Sequence, residues 1–178
     1  MIRQQKSIAR LAPLAISAVI VFADRISKLF IQHSIITFDS IPVVPRWLRI
    51  VHTENAGAAF GFLAEGNPIL RTAVLIGIST VVLCFVISAL WSRKSAFTSP
   101  LARLALSLVL GGAIGNLYDR ITQGTVTDFI EVYHGAWSFP AFNVADSAIT
   151  VGAILLLIDL LRPHEKHILE ERARLAHK

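Results

Sequence analysis

The chain holds one cysteine, Cys84, among 178 residues, so it forms no internal disulfide and builds no multi-cysteine zinc site. Charge is scarce as well. Asp, Glu, Lys and Arg make up 16% of the residues, against about 25% in an average soluble domain. A compact soluble globule of this length could not cover its surface with so few ionic groups. What is present instead is apolar: 54% of the residues are hydrophobic, which points to a bilayer as the main solvent and excludes disorder and collagen-like structure. The net charge of +5 would suggest nucleic acid in a soluble protein, but the basic residues lie outside the apolar runs. They gather at Arg3, Lys6 and Arg10, at Arg93 and Lys94, and from Arg162 to Lys178. No aromatic residues interleave with them as a stacking platform requires. These are membrane anchors, and no nucleic-acid partner is expected.

Four stretches are long enough to cross a hydrocarbon core, for which about 20 residues are needed: residues 11–32, 69–91, 100–119 and 141–160. Arg71 lies near one end of the second, and Arg103 one turn inside the third, where its side chain can snorkel to the interface. The first stretch is ambiguous. Leu11 to Ala23 follows a basic start and has the outline of a cleavable leader. Against that, Asp24 and Lys28 share one helix face and can pair, and apolar residues resume at Leu29. A retained helix with an internal ion pair fits better.

Lys and Arg accumulate on the cytoplasmic side of membrane proteins. With both termini inside, eleven of the 17 Lys and Arg face the cytoplasm. The expected architecture is an all-α membrane protein, one integral domain over residues 1–178, with four transmembrane helices and a small extracytoplasmic β-sheet cradle. The cradle falls at about residues 38–64. Ile41 to Val51 is rich in β-branched and aromatic residues, Asn55–Gly57 offers a turn, and Ala58 to Leu63 reads as a returning extended run. Residues 163–178 read as a short solvated helix on the cytoplasmic side.

Ionisable residues at membrane depth are expensive and mark sites or pathways. Asp24, Asp119, Asp128 and Asp146 all fall near outer span ends, whereas Asp39, Glu54, Glu65 and Glu131 read as solvated loop charges. Asn143 stands three residues before Asp146, the spacing of a helix cap, so Asp146 can also be read as merely satisfying backbone N–H groups. Asp128 lies in the β-like run Gly124–Ile130, where an acid facing inward between Val126 and Ile130 is hard to explain as surface charge. Two carboxylates brought to one pocket cannot both ionise. The charged one can take a proton from water while the protonated one polarises a peptide carbonyl. Cys84 is mid-span without a partner, His164 and His167 lack zinc-protease spacing, and His33, His52 and His134 are scattered. Gly111 and Gly115 have small-xxx-small spacing, which permits close helix approach, and Asn116 and Arg120 follow on one helix face, placed to hold Asp119 or a substrate backbone.

Five segments in order resemble the lipoprotein signal peptidase family, the aspartic type II signal peptidases of bacterial membranes. They are Asp24–Lys28, Asn55–Gly61, Gly111–Arg120, Val126–Ile130 and Phe142–Ser147. The resemblance implies a catalytic dyad of Asp128 and Asp146, with Asn55, Gly111, Asn116, Arg120, Asn143 and Ala145 lining and supporting the site. It implies a structural or substrate-positioning role for Asp24 and Lys28. The implied substrates are diacylglyceryl-modified prolipoproteins, cut just before the lipid-bearing cysteine by a monomeric enzyme that needs no cofactor or metal. The implied location is the bacterial inner membrane, with the site near the outer leaflet. Two other classes compete. A metal-dependent phospholipid transferase would need acids clustered at helical spacing, and a small transporter or scaffold would need a polar face through the full membrane depth.

Overall fold

The computed structural model describes residues 2–57, 67–92 and 97–162, with side chains from residue 11 onward. Four helices and four strands follow in the order α1 (Ile2–Ser34), β1 (Ser40–Val44), β2 (Leu48–Asn55), α2 (Pro68–Trp91), α3 (Pro100–Thr122), β3 (Val126–His134), β4 (Trp137–Ser138) and α4 (Val144–Leu161). The expected returning run at Ala58–Leu63 and the helix over 163–178 lie outside the described residues.

The helix starts are written in capping chemistry. Asn67 Oδ1 accepts from the N–H groups of Ile69 and Leu70 at 2.9 and 3.2 Å, and Pro68 follows at the first helical position, where its missing N–H costs nothing. Ser99 Oγ accepts from Ala102 N at 2.9 Å and donates to Asp159 Oδ1 of α4 at 2.6 Å, which ties the start of α3 to the end of α4. Asn143 and Asp146 form a reciprocal capping box at the start of α4. That box places the helix start at Val144, three residues later than the expected 141, because Phe142 is spent on a bridge to Ile130.

Helix α3 is the centre of the bundle. It buries twelve residues, whereas α2 buries only Leu75, Val86 and Ala89. Three glycines make this possible. A Cβ on Gly111 would lie 2.8 Å from Ile20 Cβ and 2.9 Å from the Ser17 carbonyl of α1, one on Gly112 would collide with the Ala145 carbonyl of α4, and one on Gly115 would lie 2.5 Å from Asp24 Oδ2. So α3 touches α1 and α4 with its backbone, as the small-residue spacing implied.

Among the described residues, α2, α3 and α4 are long and apolar enough to cross a membrane. Helix α1 is not in that group, so of the four expected spans the described residues show four helices, three of which qualify by length and composition. The physical reason is the charge trio Asp24, Arg25 and Lys28 inside α1. Large apolar side chains such as Val81 and Phe85 on α2 and Leu157 on α4 stand 57–70% exposed, which suits a hydrocarbon surround.

The sheet caps one end of the bundle. Its order is β1-β2-β3-β4, all antiparallel. Besides its neighbour β1, β2 pairs with β3, more than 70 residues downstream, with Thr53 opposite Asp128 and Glu54 opposite Thr127. A register shift between Ile50 and Thr53 bends β2 where it passes the end of α1.

Candidate active site

Strand β3 carries Asp128 and the α4 cap carries Asp146, and both line one cavity of about 770 Å³. Thr53, Asn55, Asn116 and Arg120 complete the polar wall, while Val126, Phe139, Phe142 and Ile149 form the apolar one. The volume is that of an ordinary ligand site. Asp128 is 2% exposed.

Each carboxylate is held by amides. Asp128 Oδ1 accepts from Asn143 Nδ2 at 2.7 Å and Oδ2 from Asn55 Nδ2 at 3.0 Å. Asp146 Oδ1 accepts from Asn116 Nδ2 at 2.7 Å, and Oδ2 from the Asn143 N–H at 3.3 Å. Asn143 therefore touches both acids, one with its side chain and one with its backbone. Its cap function explains the geometry: while Asn143 Oδ1 accepts from the Asp146 N–H at 2.9 Å, its amide nitrogen is left to face Asp128. Asn55 is oriented in the same way, because Oδ1 accepts from the Gly57 N–H at 2.9 Å and so presents Nδ2 to Asp128. Burial, and then the nearby charge of Asp146, push the Asp128 carboxyl up to about 7, against the opposing hydrogen bonds from Asn55 and Asn143 and the charge of Lys28.

Behind this wall lies a buried ion network. Lys28 Nζ is 2.8 Å from Asp24 Oδ2, 2.6 Å from Asp119 Oδ2 and 3.0 Å from Asn116 Oδ1. Asp119 also pairs with Arg25, whose guanidinium stacks over the Tyr118 ring at 4.4 Å. Asp24 Oδ1 accepts from the Ala145 N–H of α4 at 3.0 Å. By donating to Asn116 Oδ1, the ammonium of Lys28 turns the other end of that amide towards Asp146.

The expected residues Asp24, Lys28, Asn55, Asn116, Arg120, Asn143, Asp128 and Asp146 thus form one connected group, joined by Ala145 through its N–H to Asp24, whereas Gly111 packs against Ser17 and Ile20 of α1 and does not line the cavity. Asp119 differs from expectation. It is held by Arg25 and Lys28 of α1, not by Asn116 and Arg120, because those α1 side chains meet it across the bundle. Arg120 instead donates to the carbonyls of Asn116 and Gly57 at 3.2 and 3.3 Å. Glu131, expected in solvent, lines the cavity and is held below the usual carboxylate range by its bond from Arg49. Glu54, also expected in solvent, is tied into the sheet. Strand alternation was the available signal for Glu54, whereas it sets Glu131 on the face opposite Asp128 and gave no sign of its place at the cavity. Among the described residues no three His, Cys, Asp or Glu side chains come together as metal ligands.

Apolar helices around an acid-lined cavity, reached between a sheet and helix ends, describe a membrane-embedded enzyme. The comparisons make this specific. The chain matches the family described as Signal peptidase (SPase) II over residues 16–162. A lipoprotein signal peptidase of Solibacter usitatus is 40% identical over 148 residues, spanning 83% of this chain and 89% of that protein. One from Pseudomonas syringae pv. tomato is 43% identical over 157 residues, spanning 88% and 89%. A bacterial membrane enzyme solved by the in meso method superposes with a TM-score of 0.75 and 33% identity over 84% of this chain and 87% of the other. The chain belongs to the signal peptidase II family and is a peptidase.

Proposed function

We propose that this chain removes the signal peptide from diacylglyceryl-modified prolipoproteins, cutting before the lipid-bearing cysteine, with Asp128 and Asp146 as the catalytic pair. The observation that carries the reading is the shared cavity: two carboxylates face it, joined through Asn143. A charge on one opposes a charge on the other, so near neutral pH the pair holds one proton. The raised Asp128 keeps that proton. Asp146 takes a proton from water as the water oxygen attacks the scissile carbonyl carbon, and Asp128 gives its proton to the carbonyl oxygen. When the C–N bond breaks, Asp146 passes its proton to the leaving nitrogen, and the carbonyl re-forms by returning the other to Asp128. The pair ends as it began.

The reading places the cavity near the outer leaflet of the bacterial inner membrane, with α1 as a fourth span and both termini cytoplasmic. Charge distribution supports this. A monomer meets its substrate from the lipid: the signal peptide is itself an apolar helix, and the acyl chains of the modified cysteine stay in hydrocarbon. Arg120, Asn55 and Asn116 line the wall where a substrate backbone would run.

Detergent-purified protein incubated with lipid-modified and unmodified forms of one prolipoprotein tests the proposal. Cleavage of the modified form alone is expected. Equal cleavage of both makes the chain a general protease and defeats the assignment.

The rate should also fall at both pH extremes. The alkaline limb is expected near pH 7, where Asp128 releases its proton. Initial rates across the range check this, and a rate that is flat through neutrality removes shared-proton chemistry.

A further inference from the structure

On the face of β3 turned away from the cavity lies a second polar cluster that the chemistry above does not use. Glu54 is its centre. Glu54 Oε1 accepts from Thr127 Oγ1 at 2.9 Å and lies 3.1 Å from His52 Nε2, and Oε2 accepts from Thr125 Oγ1 at 2.7 Å. His52 Nδ1 donates to the Ile35 carbonyl, just beyond α1, at 2.7 Å. Gln32 Nε2 of α1 donates to Thr127 Oγ1 at 2.7 Å. Thr127 is fully buried, and His52 is 6% exposed.

Register connects this cluster to Asp128. Glu54 stands opposite Thr127 in the ladder. Successive side chains of a strand point to opposite faces, so the next residue on each strand, Asn55 and Asp128, turns into the cavity. There Asn55 Nδ2 donates to Asp128 Oδ2 at 3.0 Å. The bond behind the sheet and the bond in front of it are made by adjacent residues of the same two strands, and a shift that breaks one displaces the other. The Thr127 carbonyl adds a second link, since it accepts at 3.3 Å from Asn143 Nδ2, the nitrogen that also donates to Asp128.

We infer that Glu54 and Thr127, braced by His52 and Gln32, clamp β3 to the outer end of α1 and so set the position of the Asp128 carboxyl. Both are positioning residues and neither faces the cavity. The inference rests on reading Asp128 as catalytic. A misplacement of about 1 Å costs on the order of a hundredfold in rate. With Asn143 still holding Asp128, partial release should cost less.

Thr127→Val removes the hydroxyl and keeps the shape, Thr127→Ser keeps the hydroxyl, and Glu54→Gln removes the negative charge and forces a Thr hydroxyl that now donates to turn and accept. Thr127→Val and Glu54→Gln are expected to lower kcat about tenfold with KM within about twofold, while Thr127→Ser keeps at least about half the parent kcat. Rates are referred to folded enzyme, counted by stoichiometric binding of a lipid-modified peptide with an N-methylated scissile amide. Parent-like kcat in both variants, a change confined to KM, a loss that serine fails to restore, or a loss that vanishes per folded enzyme overturns the clamp. Asp128→Asn measured alongside separates the two ideas. Turnover by that variant defeats the dyad, whereas an inactive Asp128→Asn beside fully active Thr127→Val and Glu54→Gln defeats the clamp alone.

Discussion

Asp128→Asn and Asp146→Asn are each expected to lower kcat by about 10⁴-fold, since each removes one end of the proton exchange and nothing nearby replaces it. Both asparagines keep the side-chain shape, so the variants should still insert and bind substrate. Stability gives an independent handle on Asp128. Its carboxyl titrates near 7 in the folded chain against an ordinary 3.8, so between those values the folded state binds more protons than the unfolded one. Stability contributed by this group therefore falls as pH rises through that window. Asp128→Asn has no such proton to lose. The melting temperature of the variant relative to the parent should rise between pH 5 and pH 8, even as activity is abolished. A difference that stays constant with pH, or appreciable turnover by either variant, removes Asp128 and Asp146 from the chemistry.

The second large effect concerns a residue outside the cavity. Lys28 is completely buried, and its ammonium neutralises Asp24 and Asp119 while it orients Asn116. Lys28→Met keeps most of the volume but leaves Asp24 with only the Ala145 N–H. Breaking a buried pair from one side costs about 3–5 kcal/mol, so the thermal midpoint in detergent should drop sharply. Activity should fall further than folded protein does, because Asn116 Oδ1 loses the ammonium and keeps only the 3.3 Å bond from Asn143 Nδ2, which holds its nitrogen less firmly towards Asp146. Adding Asp24→Asn should recover part of the stability and little of the activity, a coupling read by a double-mutant cycle. A parent-like midpoint in Lys28→Met would mean that the network carries no structural weight.

These two predictions draw on features of very different legibility. The Asp24–Lys28 pair and the Asn143–Asp146 cap are local: helix spacing and cap spacing put them in reach before any packing is known, and both contacts form. The starts of α2 and α3 at proline after Asn67 and Ser99 are local too. The pairing of β2 with β3 is not. That strand follows α3, and no short-range pattern encodes a pairing over such a separation. Of the two roles open to Asn116 and Arg120, holding Asp119 falls to other residues for the same reason. Asn116 and Arg120 are near in sequence, but Arg25 and Lys28 arrive from α1 because Gly111 and Gly115 let that helix approach. In the sequence Glu54 reads as a solvated loop charge and His52 as one of three scattered histidines, and only the ladder register reveals that they stand behind a catalytic candidate.

Cys84 has a practical use. It is exposed on α2, the helix with the smallest buried face, and α2 contributes no residue to the acid-lined cavity. As the sole thiol in the sequence, it is a ready-made attachment point for a spin label or fluorophore. A reporter there would sense the surrounding hydrocarbon without removal of competing cysteines and without trespassing on the reaction centre.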